Sequence, residues 1–97
     1  MADDKEPSHR YQVLFSKRAR KEAQSLPSDL QERVIARLQE LERDPFDHRI
    51  SKSLKNAAGF RSARVGDWRI IYLVDKDLPR ISVDRIEHRR EVYKSLD

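Results

Sequence analysis

The sequence predicts an α+β fold: a two-helix hairpin packed on a small four-stranded sheet, in the order β-α-α-β-β-β, with a short C-terminal helix. Three observations carry this reading. Leu30, Val34, Leu38 and Leu41 recur at spacings of 4, 4 and 3 after Pro27, one face of an amphipathic helix. Gly66-Asp67 separates two strand-like runs at the length of a two-residue hairpin turn. Ile70-Ile71-Tyr72-Leu73-Val74 is apolar on both faces, which suits a central strand.

The elements follow in order. Residues 1–9 read as a polar tail on a single domain spanning 1–97. Tyr11, Val13 and Phe15 alternate with Gln12 and Leu14, the pattern of a first strand. Ser16 is placed to cap a helix from Lys17 to about Leu26, with Ala19, Ala23 and Leu26 on its apolar stripe. Lys17, Arg18, Arg20 and Lys21 crowd the first turns of that helix, where the backbone is already partly positive. Pro27 stops it, and Ser28-Asp29-Leu30-Gln31 fits a capping box that starts a second helix, running to about Arg43. Asp44-Pro45 ends that helix, because proline disfavours helix at the residue before it. Residues 46–58 are polar and basic and read as a loop. Strands follow over Phe60–Val65, Trp68–Val74 and Arg80–Glu87, and His88 to Leu96 reads as a short terminal helix.

Composition narrows the function. The chain has 97 residues and a net charge of +4, and 39% of it is charged, against ~25% in an ordinary soluble domain. It contains no cysteine, so a disulfide framework, a Cys-ligated zinc and a thiol nucleophile are excluded. No apolar run approaches the ~20 residues of a membrane span, and the N-terminus carries no signal-like stretch, so a cytoplasmic protein with no membrane partner is expected. His9, His48 and His88 are few and scattered, and no metal or cofactor is expected. Charge is uneven: residues 1–48 are net −1 and residues 49–97 net +5. Arg49, Lys52, Lys55, Arg61 and Arg64 follow one another with no acid between them, a potential that attracts polyanions.

Leu54-Lys55-Asn56, the run Phe60-Arg61-Ser62-Ala63-Arg64-Val65-Gly66-Asp67-Trp68-Arg69-Ile70-Ile71-Tyr72 and the tail His88-Arg89-Arg90-Glu91-Val92-Tyr93 stand in sequence. Together, over about Tyr11 to Tyr93, they resemble the RelE/ParE superfamily of toxins from type II toxin–antitoxin modules. The resemblance implies two helices on a twisted, mainly antiparallel sheet. It implies a RelE-like endoribonuclease that cleaves mRNA on the ribosome and inhibits translation, or else a ParE-like inhibitor of DNA gyrase without nuclease chemistry. It also implies a cognate antitoxin that silences the toxin, in a complex that is a heterotetramer or larger.

Metal-free RNA cleavage needs a base for the 2′-hydroxyl proton, an acid for the leaving 5′-oxygen, and cations for the charge that builds on the phosphate. Arg69 is the first candidate: it is an isolated cation in an apolar strand, so it must meet an anion or leave at the sheet edge, with Asp67 and Asp84 as the alternative structural partners. The resemblance assigns it to the scissile phosphate. Arg64 fits the same stretch and suits bidentate phosphate binding, since arginine stays protonated. Arg61 lies three residues before it, on the opposite face of an ideal strand unless a bulge intervenes. His88 can act as acid or base near neutral pH. Tyr93 matches the C-terminal tyrosine of RelE-like toxins, able to stack on a base or assist proton transfer. Lys52, Lys55, Arg61, Arg85 and Arg89 are candidate RNA contacts. Glu87 stands where some members of the superfamily carry a cation, a place for which Arg85 can compensate.

Overall fold

The computed structural model describes residues 10–55 and 57–89. Five strands and two helices are present among them: β1 (Gln12–Phe15), α1 (Lys17–Gln24), α2 (Ser28–Arg43), β2 (Ser51–Ser53), β3 (Phe60–Val65), β4 (Trp68–Asp75) and β5 (Arg80–His88). The strands form one sheet in the order β1-β5-β4-β3-β2, with β4 at its centre as the apolar run requires. Three of the four pairings are antiparallel and β1 runs parallel to β5, so the sheet is mixed. The helices carry the chain from the β1 edge to the β2 edge.

Ser16 caps α1 as its sequence position suggests, its Oγ accepting from the Ala19 N–H at 2.9 Å. The same hydroxyl donates to the Asp84 carbonyl at 2.6 Å, tying the helix start to β5. Helix α1 ends at Gln24 rather than Leu26, and Leu26 drops into the core from the linker. The capping box expected at Ser28 does not form. Pro27 holds the N-cap position, with no side-chain cap bond, and Ser28 is already helical. Gln31 instead turns its amide back to the Ala23 and Gln24 carbonyls, satisfying the C-terminal acceptors of α1.

The largest departure is β2. Residues 46–58 contain a three-residue strand that pairs with β3 over Ser51↔Ala63 to Ser53↔Arg61, giving five strands where four were expected. Its sequence, Ser-Lys-Ser, has no apolar alternation to announce it, and tertiary pairing alone makes the strand. The C-terminal helix expected within His88–Leu96 lies outside the described residues beyond Arg89, as does the tail over 1–9. His88 itself closes β5.

The core lies between the helices and one face of the sheet. Ala19, Leu26, Val34, Leu38 and Leu41 pack against Ala63, Val65, Ile70, Tyr72, Ile81, Val83 and Ile86. Between Ile71 and Tyr72 the register with β5 shifts: Ile71 faces Arg85 while Tyr72 faces Val83, leaving Asp84 as an extra residue. That bulge changes which side chains face the helices. Ile81 and Val83 face the core before it, and Ile86 faces the core after it. Without the extra residue, Arg85 and Glu87 would point into the helices.

Candidate nucleic-acid interface

On the face away from the helices, register places Lys52 beside Ser62, Arg64 beside Arg69, and Arg69 beside Glu87. Here a cleft of about 600 Å³ opens, lined by Lys52, Ser62, Arg64, Asp67 and Arg69 from the sheet and its hairpin turn. Its other wall comes from His48, Arg49, Ile50 and Ser51, with Arg37 reaching in from α2. Pairing of β2 with β3 stops at Ser51↔Ala63, so the Arg64 carbonyl lies beyond the ladder. Arg37 Nε–H donates to it at 3.1 Å, and Arg64 Nε–H donates to the Gly66 carbonyl at 3.2 Å. The turn that makes this possible has Gly66 at φ +60°, a conformation glycine adopts without strain.

The charge in the cleft is unbalanced. Arg37 is paired with Glu40 at 2.8 Å, and Arg49 with Asp47 at 2.9 Å. The bonds from the Arg49 guanidinium and its backbone N–H hold the Asp47 carboxyl down to about 2. Lys52, Arg64 and Arg69 make no salt bridge among the described residues, and Asp67 is the one acid lining the cleft there. Neither Asp67 nor Asp84 is the ion-pair partner of Arg69; Asp84 lies against Arg85 at 3.8 Å. Three cations thus share one concave face with a single acid among its described lining residues, and such a face has a positive potential.

The sequence-derived candidates therefore separate. Lys52, Arg64 and Arg69 meet in the cleft. No bulge interrupts β3 against β4, so Arg61 faces the other way. Its guanidinium donates to Ser51 Oγ at 2.8 and 3.3 Å and to Ser53 Oγ at 3.1 Å, and lies 5.3 Å from the centre of the Phe46 ring. His88 is paired with Trp68 on the core side, the two rings edge-on at 5.0 Å. Arg85 shares the cleft's face of the sheet but is bound to buried Glu87 at 2.9 Å. Arg89 donates its backbone N–H to the Asp67 carbonyl at 2.7 Å, and Lys55 is exposed in the turn after β2. Tyr93 lies outside the described residues.

Sequence reasoning named Arg49 only as part of a basic run and missed the wall it forms with Arg37 and His48. Arg37 stood in the polar stripe of a helix, and His48 looked isolated. Only the pairing of β2 with β3 swings residues 48–52 onto the rim of the cleft.

Comparison with known proteins agrees with this architecture. Residues 13–93 match the family described as the ParE toxin of type II toxin–antitoxin system, parDE. Toxin RelE of Mycobacterium tuberculosis is 33% identical over 98 residues, covering 97% of this chain and 93% of that protein. Toxin RelG of the same organism is 31% identical over 86 residues, covering 87% and 97%. In the crystal structure of the M. tuberculosis toxin–antitoxin complex RelBE2, one chain superimposes with a TM-score of 0.73 at 32% identity, covering 82% of this chain and 99% of that one.

Proposed function

The chain belongs to the ParE toxin family of type II toxin–antitoxin systems, and on that premise we propose that it is a RelE-like, metal-independent endoribonuclease that cleaves mRNA on the ribosome. The observation that carries this is the meeting of Lys52, Arg64 and Arg69 in one cleft, with Asp67 the only acid on its described lining. A phosphate seated there gains charge-assisted bonds that strengthen as negative charge develops on it, so the arginines favour the transition state over the ground state. Arg64 is already oriented by the Gly66 carbonyl, so less of its freedom is lost on binding. Tyr93 enters by its place in the His88–Tyr93 motif, as a stacking platform for a base. The reading places the toxin in the cytoplasm as one domain over 1–97, silenced by a cognate antitoxin.

Support for the partner comes from the relative that superimposes, itself solved as a toxin–antitoxin complex. A second support is the apolar groove of about 320 Å³ between α1 and α2, lined by Phe15, Ala23, Leu26, Val34, Ile35 and Leu38. An amphipathic antitoxin segment would cover it.

A ParE-like inhibitor of gyrase is the second reading, favoured by the description of the matched family. Induced expression of the wild type beside Arg69→Ala and Tyr93→Phe, with primer extension on a reporter mRNA, separates the two. Arrest with 5′ ends inside codons, lost in the variants at equal protein level, is the expected result. Arrest with intact mRNA, unchanged in both variants, would replace the nuclease with the gyrase inhibitor.

A further inference from the structure

We infer that His48 is the proton acceptor of the cleft, the imidazole that takes the 2′-hydroxyl proton during RNA cleavage. The inference rests on the nuclease reading and names the base that reading lacks. His88, the histidine that sequence position favours, faces Trp68 on the core side and does not line the cleft. Arginines stay protonated and cannot serve. Lysine ordinarily holds its proton to about pH 10, and a carboxylate is ordinarily a weak base at neutral pH. Among the described residues, His48 is the one imidazole lining the cleft.

Hydrogen bonds fix the backbone of its loop on either side of it. Asp44 Oδ1 accepts the Phe46 N–H at 3.0 Å, and Asp47 Oδ1 accepts the Arg49 N–H at 2.9 Å. The Asp47 carbonyl accepts from Ile50 and Ser51 at 3.1 and 3.0 Å. Beneath it, the buried Tyr72 hydroxyl donates to the Pro45 carbonyl at 2.7 Å. His48 is an exposed residue. The neighbouring carboxylate is already taken, since Asp47 is bound by the Arg49 guanidinium at 2.9 and 3.1 Å. The charged groups that line the cleft together with His48 are Arg37 of α2, its neighbour Arg49, Lys52 of β2, Arg64 of β3, Asp67 of the turn and Arg69 of β4.

In the step, the 2′-oxygen forms a bond to phosphorus as the phosphorus–O5′ bond breaks. The 2′-proton passes to the His48 imidazole, and the 5′-oxygen leaves and is protonated from water. The products are a 2′,3′-cyclic phosphate and a 5′-hydroxyl.

The test is single-turnover cleavage of an mRNA on translating ribosomes, measured across pH 5 to 8, the range in which an imidazole titrates. Wild type, His48→Gln and His48→Ala are compared, with thermal melts to confirm that each is folded. The expected result is a loss of about 100-fold or more in both variants. The rise in rate with pH should disappear, and added imidazole should restore part of the activity of His48→Ala. A folded His48→Gln that cleaves at the wild-type rate with the wild-type pH profile would overturn the assignment and leave the nuclease intact. A wild type that cleaves no mRNA would overturn both.

Discussion

Arg61 and Arg64 are the same residue type, three positions apart on one strand, and they work on opposite faces. Arg64 opens onto the cleft, whereas Arg61 cross-links β2 through Ser51 and Ser53. Replacing Arg61 by alanine should cost about 1–2 kcal/mol, the worth of a few part-exposed hydrogen bonds, read as a lower denaturant midpoint. Arg64→Ala should leave that midpoint nearly unchanged and reduce cleavage. The alternation was legible from spacing alone, but whether a bulge broke it was not, because no residue in β3 signals one. Tyr72 makes a similar point. Its run of apolar neighbours marks it as core, yet its hydroxyl supports the loop that carries His48 by bonding the Pro45 carbonyl. Tyr72→Phe leaves that buried carbonyl with only a 3.4 Å contact from Ser51 Oγ, at an expected cost of about 1–3 kcal/mol in chemical denaturation. Asp47 gives the same loop a pH dependence. Its folded value, about 2, lies below its ordinary one, so its stabilising contribution is complete above about pH 4 and is lost as pH falls through about 2. An NMR titration following the Arg49 amide should show its midpoint near the lower value.

Whole elements were legible where they carried their own periodicity and capping, and illegible where another strand defines them. Helix α2 and strand β4 were readable from apolar spacing, and the β3–β4 hairpin from Gly66-Asp67. Strand β2 and the Asp84 bulge were not, since each exists through its pairing partner. These hidden features shape the site: β2 brings up the cleft wall, and the bulge turns Arg85 and Glu87 away from the helices. Ser16 joins the two classes. It was readable as a helix cap, but its second bond, to the Asp84 carbonyl, anchors α1 at the bulge. Ser16→Ala should therefore cost about 1–2 kcal/mol, at the upper end of what an N-cap is worth, measured by thermal or denaturant unfolding. The helix hairpin carries a different test. Ile35 is 55% exposed at the rim of the α1–α2 groove, so Ile35→Asp should barely alter folding while weakening capture of a co-expressed antitoxin.

At the scale of the whole molecule, two surfaces of different chemistry share one small fold: an apolar groove on the helical side and a basic cleft on the other face of the sheet. The net charge of +4 understates the second, because the acids are concentrated in the first half of the chain, while Lys52, Arg64 and Arg69 come from the second. If the cleft holds an RNA backbone, binding releases the counterions of each neutralised phosphate, and affinity must fall with salt. For single strands the slope of log affinity against log salt is about −0.7 per phosphate neutralised. Removing one cation that truly meets a phosphate should make that slope shallower by about 0.7. Removing one that is already internally paired should not. Measured on a short single-stranded RNA, Lys52→Ala and Arg69→Ala should each reduce the slope. Arg85→Ala, whose guanidinium is held by Glu87 at 2.9 Å, should leave it unchanged. The reverse pattern would move the RNA path off the cleft and across the sheet towards β5.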